Sequence, residues 1–96
     1  MEGTKSLFEL ATKTVSAQKK HMEKLPNDVR ANIYGLFKQA KEGDNKKEKP
    51  SALKMEESAK WKAWTDQKGK PSEQAMKEYV ELAKKVLPKE AAALIV

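Results

Sequence analysis

The stretch Tyr34-Gly35-Leu36-Phe37-Lys38-Gln39-Ala40, closed by Gly43-Asp44, decides how this chain reads. At about 100° per residue, Val29, Ile33, Leu36 and Ala40 fall within about 60° of one another on a helix. Such an arc is what a helix needs to dock on a core. Lys38 points away from that arc, Tyr34 sits about 40° from Lys38, and Phe37 lies at the edge of the arc. An aromatic ring and an ammonium therefore share a face that the apolar stripe does not claim. Taken alone, that face reads either as solvated surface with a stray tyrosine or as the start of a ligand site.

The neighbouring segments carry the same helical rhythm. Pro26 fits the first turn of the helix that holds this stretch, and Asn27 or Asp28 brings a capping or negative oxygen to its positive end. The helix should run to about Lys41 and stop at Gly43. Upstream, a first helix is expected from about Ser6 to Lys19, with Leu7, Phe8, Ala11 and Val15 as its stripe. Ser6 and Glu9 match a capping box, and Lys19, Lys20 and His21 suit its C-terminal end. Residues 20–25 read as a connection. Downstream, Gly43 to Ser51 is polar and lysine-rich, with Leu53 and Met55 as its first apolar anchors. That connection of roughly 12–14 residues is long enough to be functional or to pack across the body. A third helix spans about Glu57 to Gln67, with Lys60, Trp61 and Trp64 on one side, and closes at Gly69. The fourth and longest spans about Pro71 to Val86, with Met76, Val80, Ala83 and Leu87 as its stripe and Tyr79 on the border. Pro88 ends or kinks it. The apolar tail Ala91–Val96 is expected to extend that helix, fray or rest on the surface. With no strand alternation and no solenoid repeat, the expectation is an all-α four-helix bundle. It is a single domain over 1–96, with a core at about 6–87 and a tail at 88–96.

Composition narrows the function. A chain of 96 residues, 39% hydrophobic and 35% charged, is one modest and very polar domain. It has no cysteine, hence no disulfide, thiolate metal site or cysteine nucleophile. No secretory signal and no run of membrane-spanning length is visible, so a soluble cytoplasmic monomer is expected. Net charge is +6, and Arg30 is the sole arginine among the basic residues. Base-reading proteins favour arginine's bidentate fork, whereas lysine contacts phosphate as a point charge. A basic nucleic-acid module or a peripheral membrane protein, with the tail as contact, stays open as an alternative.

Catalytic chemistry is sparse. His21 is the lone histidine and reads as an unremarkable surface residue. The four glycines are scattered rather than gathered in a phosphate loop, and Glu56-Glu57 are adjacent residues pointing about 100° apart. No catalysis, cofactor or metal is expected. What remains is three features able to contact phosphate or stack on a base: Tyr34 with Lys38, Lys60 with Trp61, and Tyr79. Each has a plain reading as well, the tryptophans and Tyr79 as core.

Their combined order is specific. Tyr34-Gly-Leu-Phe37-Lys38-Gln39-Ala40, Gly43-Asp44, Pro50, Ala59-Lys60-Trp61-Lys62-Ala63-Trp64, Gly69 and Ala75-Met76-Lys77-Glu78-Tyr79-Val80 together resemble the acyl-CoA-binding protein family. The likeness runs from about Ser6 to Leu87, as in a stand-alone single-domain member. It implies an up-down-down-up bundle that binds one long-chain fatty acyl-CoA thioester and serves as an intracellular carrier and pool former. No nucleic acid and no stable membrane insertion are expected of it. By the resemblance, Tyr34, Lys38 and Lys60 contact the CoA headgroup and Tyr79 the ligand. Phe37 keeps a ring where the family usually has a second tyrosine hydroxyl. Ala31, Gly35, Leu36, Lys54 and Trp61 are further candidates. Ser16 and Glu56 stand where the family often has lysines, and Arg30 and Ala31 where it often has large apolar residues near the acyl groove. In such a site lysines neutralise the CoA phosphates, while each buried methylene of the tail adds about 0.8 kcal/mol.

Overall fold

The periodic segments are helices in the computed structural model, which describes residues 2–95, Glu2 by its backbone alone. The long helices are α1 (Glu2–Ala17), α3 (Asn27–Glu42), α4 (Met55–Thr65) and α5 (Ser72–Val86), with two short ones, α2 (Lys19–Glu23) and α6 (Lys89–Ala92). They lie side by side. α1 packs on α5, α5 on α3, and α3 on α4, while α2 rests by α1 and α6 by α5. The body is accordingly flat, 38 × 31 × 15 Å. Its core runs through Phe8 and Ala11 of α1, Ile33, Leu36 and Ala40 of α3, and Ala75, Tyr79, Val80 and Ala83 of α5.

Several boundaries differ from the sequence expectation. α1 starts at Glu2, so Ser6 is an exposed residue inside the helix and no capping box forms there. Burial of Phe8 and Ala11 against α5 carries the helix through that turn whatever its cap. The expected connection at 20–25 is largely the helix α2. His21 is more than a bystander: its Nε2 lies 2.6 Å from the Val86 carbonyl oxygen at the end of α5, and Met22 and Leu25 pack against the core. Lys19, Lys20 and His21 thus belong to α2, not to the end of α1.

At the start of α3, Pro26 is the cap residue, and Asp28 Oδ1 accepts from the Val29 amide at 2.9 Å. Gly43 caps the end of α3, while α4 ends at Thr65 rather than near Gln67, and Gly69 lies in the turns beyond it. Both glycines have positive φ, 80° and 85°, where glycine carries no Cβ penalty.

Leu53 and Met55 are not anchors of the loop between α3 and α4, for they stand 93% and 80% exposed. Hydrogen bonds hold that loop instead. The Trp61 indole donates to the Lys47 carbonyl at 2.8 Å, the Trp64 indole to the Gly43 carbonyl at 2.7 Å, and the Asn45 amide to Thr65 Oγ1 at 3.1 Å. Buried Gln39 ties the end of α3 to the turn before α5, donating to Asp44 Oδ1 and to the Lys70 carbonyl, both at 2.9 Å.

The tail neither frays nor lies loosely on the surface. Leu87 is extended, and Pro88 then opens α6, which turns the chain back so that Ala91 and Ile95 are 4% and 1% exposed. The core therefore extends to Ile95 rather than ending near Leu87. Met1 and Val96 lie outside the described residues.

Candidate functional site

α3 meets its surroundings through three faces. Ile33, Leu36 and Ala40 join the core formed with α5. A second face meets α4, through Gly35. A Cβ built at Gly35 would lie 2.5 Å from the Ala63 carbonyl oxygen, so the backbones of α3 and α4 approach as closely as only glycine allows. The face opposite the apolar stripe is therefore partly claimed. Ala31 is buried on it, and Lys38 is only 17% exposed in its side chain. Between these two packed faces runs a strip of α3 bearing Arg30, Tyr34 and Phe37, and along this strip the surface opens into a trough with two lobes.

The aromatic lobe has a volume of about 300 Å³ and is walled by Val15 and Ser16 of α1, Met22 of α2, Tyr34 and Phe37 of α3, and Tyr79 of α5. Its floor is an aromatic cluster. Phe37 lies 6.1 Å from Phe8 and 6.2 Å from Tyr79, and Phe8 meets Tyr79 edge-on at 5.2 Å between ring centroids. Burial pushes the Tyr79 hydroxyl up to about 12, so at neutral pH it is a neutral group able to donate a hydrogen bond. The cationic lobe, about 400 Å³, is walled by Asn27, Arg30 and Ala31 of α3 and by Met55, Glu56, Ala59 and Lys60 of α4. Arg30 and Lys60 line both lobes.

The Tyr34 ring has two ammonium groups near it, Lys60 Nζ at 5.4 Å and Lys38 Nζ at 5.9 Å from its centroid. Both fall within cation–π range. Lys38 also lies 5.1 Å from the Trp64 ring and donates to the Glu42 carboxylate. That hydrogen bond holds Lys38 above the ordinary lysine range and Glu42 below the usual carboxylate range, so both are charged at neutral pH. Glu56 reaches Arg30 Nη2 and Lys60 Nζ, each at 3.7 Å. One wall of the trough is thus cationic and aromatic, and its floor is apolar. Such a surface can hold an amphipathic anion, with phosphate or carboxylate oxygens at the lysines and Arg30 and an apolar part along the floor. Among the described residues no three His, Cys, Asp or Glu side chains gather as a metal site, and no helix is long and apolar enough to cross a membrane.

A family model described as "Acyl CoA binding protein" matches residues 5–83. The chain belongs to the acyl-CoA-binding protein family. Among the relatives, an acyl-CoA-binding domain-containing protein 2 of Arabidopsis thaliana is 41% identical over a stretch covering 78% of this chain and 21% of that protein. An acyl-CoA-binding protein 2 of Saccharomyces pastorianus is 53% identical over 55% of this chain and 61% of its own length. The matched stretches thus span about a fifth and three fifths of these two relatives. The crystal structure of acyl-CoA-binding protein 2 of Oryza sativa superimposes with a TM-score of 0.72 at 31% identity, covering 91% of this chain and 96% of that one. The fold is the all-α bundle of this family.

Of the residues singled out in the sequence, Tyr34, Phe37, Lys60 and Tyr79 meet in the aromatic lobe and Ala31 lines the cationic one. Lys38 stands beside Tyr34 with its ammonium turned to Trp64 and Glu42. The other candidates fall elsewhere. Leu36 is in the core, Gly35 is the α3–α4 contact point, and Trp61 secures the loop. Lys54 is exposed and reaches Glu57 at 3.9 Å. Sequence reading missed Met22, because the segment that carries it read as a connection. It also placed Ser16 and Arg30 only as departures from the family, although both line the trough.

Proposed function

We propose that this chain, acting as a single acyl-CoA-binding domain over 1–96, binds one long-chain fatty acyl-CoA thioester and serves as a cytoplasmic, monomeric carrier and pool former with no chemical step or cofactor of its own. The observation that carries this reading is the meeting, in a chain of this family, of Tyr34 and Lys60 with the Phe37–Tyr79 floor in one trough. Lys60, Lys38 and Arg30 supply cations for the phosphates, Tyr34 a ring for the adenine or a phosphate oxygen, and Tyr79 a neutral hydroxyl. The apolar floor takes the first part of the tail, where each methylene removed from water contributes about 0.8 kcal/mol. Of the apolar tail, Ala91 and Ile95 are buried in the core, and Leu94 is left 63% exposed. Native mass spectrometry with equimolar palmitoyl-CoA tests the reading. One adduct per chain is expected, absent when palmitate replaces the thioester. Equal adducts with palmitate, or none with the thioester, would overturn it.

A further inference from the structure

Arg30, Glu56 and Lys60 form a charge relay across the boundary of the two lobes. Glu56 sits on α4 one turn before Lys60, and Arg30 reaches over from α3. The single carboxylate serves both cations, at 3.7 Å each. It is not locked there, since its side chain is 71% exposed. Exposed pairs at such distances contribute little to stability, so little resists their exchange for another anion. Both cations wall both lobes, so an anion entering the trough from either side meets them together. One oxygen of Glu56, Oε1, stands within reach of both cations, as an oxygen of a bound phosphate could. Arg30 is the sole arginine of the chain, and its planar fork matches phosphate as no lysine does.

We propose that Arg30 is a phosphate-binding residue of this site and that Glu56 is its internal competitor, released when the ligand phosphate takes over Arg30 and Lys60. The proposal rests on the acyl-CoA reading above. On it, affinity reflects an exchange of carboxylate for phosphate, and Glu56 holds the chain below the affinity its cations could give.

Calorimetric titration of palmitoyl-CoA into the unaltered chain, Glu56→Gln, Arg30→Gln and the double variant tests this. Glu56→Gln should tighten binding about threefold to tenfold at low salt, with the gain shrinking below about twofold near 0.5 M salt as screening sets in. Arg30→Gln should weaken binding by about the same factor, and it should still do so when Glu56 is already glutamine. Lys62→Gln, an equal change of net charge outside both lobes, should leave affinity within about twofold. If Arg30→Gln has no effect in the Glu56→Gln background, Arg30 merely neutralises Glu56 and the proposal fails. It fails equally if Glu56→Gln does not tighten binding. An unaltered chain that binds no palmitoyl-CoA at all would instead remove the acyl-CoA reading, and this proposal with it.

Discussion

Against α5, helix α3 presents Ile33, Leu36 and Ala40, apolar and spaced at helical period, and buries them by volume. Against α4 it presents Gly35, and contact there is made by removing a side chain rather than filling a space. The first face announces itself in the sequence, because apolar residues at i, i+3 and i+7 line one side of a helix and seek a core. The second is nearly silent, for one glycine in a helix could equally be a weak point. The difference matters for the trough. The α5 face makes the body, whereas the close α3–α4 approach sets how near Lys60 stands to Tyr34.

The largest effect expected is on the first face. Leu36→Ala should lower the unfolding free energy by about 3 kcal/mol, the usual cost of a cavity in a core. In urea titration its midpoint should fall, with the ligand affinity of the folded fraction kept. Gly35→Ala should cost about 2 kcal/mol by forcing backbones apart, and here ligand affinity should drop as well, because Lys60 moves away from Tyr34. A Gly35→Ala protein with unchanged affinity would break the link drawn between the two helices' approach and the site.

Lys38→Ala and Tyr34→Ala should reverse the balance, weakening binding while leaving helicity by circular dichroism intact. For Lys38 the loss of its place over Trp64 should cost under about 1 kcal/mol of stability. If Lys38→Ala unfolds the domain and Ile33→Ala does not, the assignment of faces on α3 is wrong.

The smallest effect concerns acid. Hydrogen bonds from the Gln39 amide and the Gly69 backbone hold the Asp44 carboxyl below the usual carboxylate range. Lys70 and Gln74 do the same for Glu78, as Lys38 does for Glu42. A carboxyl depressed in the folded chain favours folding above its unfolded-state pKa, and that contribution is lost as pH falls through the folded value. The thermal midpoint should therefore hold steady from pH 7 down to about 5 and decline below about 4. In Asp44→Asn that decline should be shallower, and an unchanged slope would exclude Asp44 as a contributor.

Much of this arrangement was legible in the sequence. Helical period identified the four long helices, and glycine placement the end of α3 at Gly43, whereas α4 stops at Thr65, before the expected Gln67 and Gly69. The ordered blocks around Tyr34, Lys60 and Tyr79 pointed to one site. What escaped was decided by tertiary context. α1 extends past a well-formed capping signal because Phe8 and Ala11 are buried whatever its cap. Residues 19–23 become helical where His21 reaches Val86 across 65 positions of sequence, beyond any local rule. Leu53 and Met55 looked like anchors because they are apolar, yet the loop is held by indole N–H groups bonded to backbone carbonyls. Ile95 is buried because the chain reverses at Pro88, which periodicity cannot show. Arg30 and Glu56 read as separate departures, and only the crossing of α3 over α4 makes them a pair.

The most direct test of the central reading is isothermal titration with palmitoyl-CoA, free CoA and palmitate in turn. A trough with cations on its wall and an aromatic floor should bind the thioester, which carries both headgroup and tail, far more tightly than either half. Affinity for palmitoyl-CoA no greater than for free CoA or for palmitate would contradict it.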